Sequence, residues 1–129
     1  MPNAQVIPEL PYDDVGEASD WLCRAFGFTE RLRIGNHRAQ LVFGDGAVIV
    51  VERGDDASAS SVLVRVEEAD SHHQRAASHD ALILQPPTDY PYGERQYTAK
   101  DIGGHHWTFS QSTADVDPAS WGGTLSEGD

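Results

Sequence analysis

The chain runs twice through the same order of elements, and this duplication limits its fold more than any other feature. Ile7 to Val15 aligns with Ser61 to Ala69, and Gly46 to Val51 with Gly104 to Phe109, at an offset of about 54 to 58 residues. In the first copy, Gln5 to Tyr12 reads as a strand whose Pro8 and Pro11 suit an edge position. Asp14 stands as a helix N-cap, with Glu17 three residues on as in a capping box. Val15, Ala18, Leu22, Ala25 and Phe26 recur at helical spacing, which predicts a helix over Val15 to Phe26 with Gly27 as its C′ residue. Strands follow at Thr29 to Ile34, Arg38 to Phe43 and Ala47 to Glu52, turned at Gly35-Asn36 and Gly44-Asp45-Gly46.

The second copy opens with a strand over Ser61 to Val66 and a helix over Glu67 to His79, with acids in its first turn where the helix dipole favours them. Leu82 to Gln85 is a strand, Pro86 to Pro91 a long connection, and Tyr92 to Ser110 a hairpin turned at Asp101 to Gly104. On its returning strand Trp107 and Phe109 share one face, while His106, Thr108 and Ser110 share the other. The apolar face belongs to a core under the helices; the polar face lines a cavity. The expected fold is α+β, with two tandem βαβββ modules forming a curved mixed eight-stranded sheet, a cup with helices on its outer face. One domain spans residues 1–129: module one at about 5–53, a polar linker at about 54–60, module two at about 61–112, and a loose tail over 113–129 whose Trp121 can pack back onto the domain.

Composition narrows the partners. At 129 residues, 39% apolar, with three Trp, four Tyr and four Phe, the chain has material for a core. A formal charge of −12 argues against nucleic acid and anionic membranes, and favours solubility or a cationic small molecule. One cysteine, Cys23, excludes an internal disulfide and fits a reducing cytoplasm. No leader and no apolar run of membrane length stands in the sequence, so a soluble cytoplasmic protein is expected.

Four segments resemble the vicinal oxygen chelate superfamily, which contains glyoxalase I, extradiol dioxygenases and bleomycin-binding proteins. They are LPYDDVGEASDWLCRAFGF (Leu10 to Phe28), FGDGAVIVVE (Phe43 to Glu52), VLVRVEEAD (Val62 to Asp70) and YGERQYTAKDIGGHHWTFS (Tyr92 to Ser110). The last most resembles a glyoxalase-like subgroup. The resemblance implies the cup, a homodimer, and metal-ligand positions at Ile7, about Val50, Ser61 and Thr108. Aliphatic and hydroxyl side chains there are no match for the imidazole and carboxylate donors that such metals require.

The candidate ligand-binding residues are Glu9, Glu52, Arg65, Tyr92, Arg95, Tyr97, His106 and Thr108. Strand alternation suggests that Glu9, Glu52 and His106 share the cup face, a displaced metal set if all three converge. Arg65 either pairs with one of these carboxylates or binds an anionic ligand group. Tyr92, Arg95 and Tyr97 flank the cup's mouth, where rings stack on a flat or cationic ligand, unless Tyr97 packs across the strand pair. His72, His73 and His79 lie on a polar helix and are expected to face solvent. Cys23 has no neighbour in sequence that would make it a nucleophile. The expected function is metal-independent and cofactor-free binding or sequestration of a small organic molecule. The alternative is a metal-dependent lyase, isomerase or dioxygenase of the glyoxalase type.

Overall fold

The computed structural model describes residues 6–54 and 59–113. The elements are β1 (Glu9–Tyr12), α1 (Val15–Phe26), β2 (Thr29–Ile34), β3 (Arg38–Phe43), β4 (Gly46–Glu52), β5 (Ser61–Arg65), α2 (Ala69–Ser78), β6 (Leu82–Tyr90), β7 (Glu94–Lys100) and β8 (His106–Ser112). They form two four-stranded sheets with the same plan, β1-β4-β3-β2 and β5-β8-β7-β6. Each has one parallel ladder, β1 with β4 and β5 with β8, and is otherwise antiparallel. The duplication is therefore one of topology. Among the described residues no ladder joins the two sheets, so β1 and β5 are both edge strands.

Local signals set the first helix. The Asp14 side chain accepts from the Glu17 N–H at 3.0 Å, and Gly27 ends α1 in the left-handed region at φ 83°. The inward side of α1 covers Leu10, Tyr12, Ala39, Leu41, Val48 and Val50 of the first sheet. Phe26, at its end, reaches the other module and meets Trp107, Phe109 and His72 at ring-centroid distances of 5.3, 4.8 and 6.2 Å. Trp107 and Phe109 are fully buried there, as their alternation predicts. The Trp21 indole N–H donates to the His79 carbonyl at 2.8 Å, linking α1 to the end of α2. One apolar cluster thus serves both modules.

A buried carboxylate joins them as well. Asp101 accepts from the Tyr12 hydroxyl at 2.5 Å, the Trp107 indole N–H at 2.8 Å, and the N–H groups of Gly103 at 2.9 Å and His105 at 3.0 Å. The fully buried His105 donates from Nε2 to the Pro11 carbonyl at 2.7 Å, while its Nδ1 accepts from the Ser60 N–H at 2.9 Å. That pair of bonds defines a neutral ring with its proton on Nε2. Burial, followed by the Asp101 charge, pushes the Tyr12 phenol well above its ordinary range, so it stays a donor. Arg53 closes the seam by donating to the Gly103 carbonyl and to Asp13, each at 2.9 Å. Gly103 has no room for a side chain: a Cβ would lie 2.4 Å from Tyr12 Cδ2.

Three features differ from the expectation. The last strand-to-hairpin connection is not a loop: β6 continues through Pro86 and Pro87 to Tyr90, with register shifts against β7. It is the outer strand of its sheet, where a missing N–H leaves no ladder bond unmade. Helix α2 begins at Ala69, later than Glu67, because the Gln111 side chain caps it by accepting from the Ala69 N–H at 2.7 Å. That cap is tertiary and has no local signature. His72 does not face solvent. Its Nε2–H donates to the Phe26 carbonyl at 2.8 Å, its Nδ1 accepts from the Tyr97 hydroxyl, and its ring lies 4.2 Å from Phe109. His73 also turns inward, edge-on to Tyr97 at 5.3 Å. The first strand begins at Glu9, later than expected; Gln5, the 55–58 stretch of the expected linker, and residues 114–129 of the tail, with Trp121, lie outside the described residues.

Asp101→Asn turns a donor amide toward the Tyr12 and Trp107 donors or breaks the turn's N–H bonds. It should cost about 2–4 kcal/mol in urea unfolding, with an unchanged m-value. Burial holds His72 below its ordinary pKa, against the Phe26 hydrogen bond that favours the charged ring. The unfolded chain therefore takes up the proton first, and stability should fall as pH drops below about 6.5. Melting curves between pH 8 and 5 should show a shallower decline in His72→Gln than in the parent protein.

Candidate functional site

Cross-strand partners share a face, so the ladders define what each sheet presents on the side away from the helices. On the second sheet three rows run across the strands. Leu82, Lys100, His106 and Ser61 form the first, Gln85, Thr98, Thr108 and Leu63 the second, and Thr88, Gln96, Ser110 and Arg65 the third. Tyr90 and Glu94 flank the third row at the hairpin end. The rows are small and polar at the centre because β7 and β8 alternate: Tyr97, Ala99, Trp107 and Phe109 take the core side, leaving polar residues on the other. Leu63 and Leu82, at the margins, are 57% and 58% exposed.

The third row is pre-organised. Glu94 accepts from the Ser110 hydroxyl and from the Gln96 amide at 3.0 Å, and pairs with Arg65 at 3.4 Å. The Ser110 hydroxyl holds the Glu94 carboxyl below the ordinary carboxylate range, helped by Gln96 and Arg65 against partial burial. Thr98 and Thr108 bond each other at 3.2 Å, and the Gln85 amide donates to the Tyr90 hydroxyl at 2.7 Å. Tyr90 stacks on Tyr92 at 5.3 Å beside this face.

The first sheet presents Glu9, Pro11, Ile49, Val51, Arg38, Gln40, Val42, Leu32 and Ile34 on its corresponding face. Leu32 and Ile34 are exposed, Arg38 lies 3.7 Å from Glu9, and Arg31 donates to Gln40 at 2.9 Å. Separately, a cleft of about 1050 Å³ opens along the β5 edge, between the turn at Phe43 to Gly46 and the start of α2. Its walls include Phe28, Phe43, Val48, Val62, Val64 and Arg75. Val62 and Val64 pair with Trp107 and Phe109, so most of this cleft lies on the helix side of the sheet.

Of the residues singled out in the sequence, Arg65, His106 and Thr108 share the polar face of the second sheet, and Tyr92 stands beside it. Glu9 lies on the matching face of the first sheet. Glu52 does not join it: Glu52 pairs with Tyr12, Glu9 with Ile49, and these belong to opposite faces. Its carboxylate bonds His37 at 2.7 Å instead. Tyr97 is fully buried toward α2, and Arg95 is held by Asp70 and Asp89 at 2.8 and 2.9 Å on that same side. The adjacent histidines separate, His105 into the core and His106 onto the face. Burial, then the Glu30 and Asp20 charges, push the Cys23 thiol up, so it stays protonated. Sequence reasoning missed Glu94, Gln96 and Thr98. Their alternation with Tyr97 and Ala99 carries the signal.

The model of the Glyoxalase/Bleomycin resistance protein/Dioxygenase superfamily matches residues 5–109. The chain belongs to that superfamily. It is 36% identical to TioX from Micromonospora sp. ML1, covering 84% of this chain and 98% of that one, with a TM-score of 0.76. TnmS3, an antibiotic binding protein from Streptomyces sp. CB03234, shares the fold at 21% identity, with 87% and 98% covered and a TM-score of 0.73. Lactoylglutathione lyase from Agrobacterium tumefaciens does so at 14% identity, with 88% and 97% covered and a TM-score of 0.71. None of the curated proteins matches the chain.

Glu94→Gln should lower stability by about 1 kcal/mol at pH 7, where the carboxylate's bonds are made. Because its folded pKa is depressed, that contribution is present above the unfolded value near 4.5 and vanishes as pH falls through the folded one. Urea midpoints of the variant and the parent should therefore converge as pH falls below the ordinary carboxylate range.

Proposed function

We propose that the protein binds a small organic molecule on these sheet faces, in a cup completed by a second copy of the chain, without a metal ion. The carrying observation is the make-up of the second sheet's face: a fixed array of hydroxyl, amide and charged groups bordered by exposed leucines. Small-molecule sites are built this way, with apolar area for affinity and a few placed polar groups for orientation. The free edges of β1 and β5, with the open cleft beside β5, support pairing with another copy, because unpaired edges invite strand addition. Sequestration or resistance by binding fits a superfamily that includes bleomycin resistance proteins, and TnmS3 is a binding protein of this fold.

The rival metal enzyme would use Glu9, Glu52 and His106. The opposite facing of Glu9 and Glu52 weighs against that set, and no three His, Cys, Asp or Glu side chains cluster as metal ligands among the described residues. No helix of the described residues is long and apolar enough to cross a membrane.

Thermal-shift screening against antibiotics and other natural products should find ligands that raise the melting midpoint by several degrees at saturation. Calorimetry should give about one site per chain, and light scattering a dimer. Metal analysis after chelator-free purification should give under about a tenth of an equivalent. A stoichiometric metal whose removal abolishes binding or turnover, or no ligand from a broad panel, would overturn the reading.

A further inference from the structure

The chain is strongly acidic, yet its two sheet faces are not. Arg31, Arg38, Arg65 and Lys100 stand on or reach over them, against Glu9 and Glu94. Most other described carboxylates, including Asp14, Glu17, Asp20, Glu30, Glu52, Glu68, Asp70 and Asp89, belong to the helices, their caps or the helix-facing sides of the strands. Charge and function are therefore segregated, and net charge says little about the ligand.

Both carboxylates on these faces are also engaged. Glu94 is occupied by Ser110, Gln96 and Arg65, and Glu9 by Arg38. Arg65 uses only Nη1, at 3.4 Å, for both Glu94 and Ser110, so its Nε and Nη2 edge makes no hydrogen bond or ion pair among the described residues; its side chain is 57% exposed. A guanidinium edge of that kind offers two parallel N–H donors, the geometry that carboxylate, sulfonate and phosphate groups accept. Lys100 lies two rows away beside His106, about 14 Å along the strands, and makes no ion pair among the described residues. The row between them, with Gln85, Thr98 and Thr108, supplies donors and acceptors of hydroxyl and amide type.

We infer that the second sheet's face selects an anionic ligand: an apolar or aromatic body carrying an acidic group that the Arg65 guanidinium edge receives, with Lys100 adding attraction from the far row. This rests on the small-molecule reading above and names the charge class it takes. It reverses the cationic preference that the overall charge suggests.

The test uses a matched pair of fluorescent probes, 1-anilinonaphthalene-8-sulfonate and uncharged N-phenyl-1-naphthylamine, with thioflavin T as an aromatic cation. Each is titrated into the folded full chain at low and moderate salt. The sulfonate should bind about tenfold more tightly than the uncharged analogue, and salt should shrink that gap. Arg65→Gln with Lys100→Gln should remove the gap and leave the uncharged probe's affinity unchanged. Arg24→Gln, which removes a positive charge from the exposed side of α1, should alter neither, and Arg65→Gln alone should narrow the gap, which separates a local site from global charge. Equal binding of the matched pair, tighter binding of thioflavin T, or an equal effect of Arg24→Gln would overturn the anionic selection while sparing the small-molecule reading. No binding of any probe to the folded chain would overturn both.

Discussion

The Asp101 carboxylate is the point on which the two modules depend. It is 6% exposed and so lacks the water that would ordinarily solvate it. Burying a charge costs several kcal/mol unless hydrogen bonds replace that water. The replacements are the Tyr12 hydroxyl from module one, and the Trp107 indole and two turn amides from module two. A group so surrounded tolerates only one relative placement of the parts that donate to it. The tight turn, the bare Gly103 and the neutral His105 follow from that requirement.

The aromatic junction around Phe26 does the complementary work. Neither module can bury its own sheet with one helix, and Phe26 carries the apolar surface of α1 across to Trp107 and Phe109. His72 seals this contact with two ring hydrogen bonds, one to the end of α1 and one to β7. With the helix-side faces consumed by this shared core, the opposite faces of both sheets are left to present polar rows and exposed leucines. The proposed site is thus a consequence of how the core is shared.

Charge is distributed by the same logic. Helix N-caps, first turns and the helix-facing sides of the strands carry acids, while the faces proposed to receive a ligand retain arginine and lysine. An average over the chain erases that difference.

The sequence by itself determined the elements whose causes are local. Asp14 and Gly27 bounded α1, the glycine turns set the hairpins, and the alternation of Trp107 and Phe109 against Thr108 and Ser110 assigned core and cup sides correctly. The internal repeat carried the topology, because the same pattern of strands and helix meets the same packing problem twice. Only the tertiary structure decided what depends on contacts distant in sequence. Glu52 and Glu9 fall on opposite faces because the β1–β4 register sets Tyr12, not Glu9, beside Glu52. His72 turns inward because the Phe26 carbonyl and the Tyr97 hydroxyl, from two other elements, satisfy both of its nitrogens. β6 runs through its prolines because it is an outer strand, and α2 starts late because Gln111 reaches it. A period in the sequence reports which residues share a face; register and partners across the fold decide what that face meets.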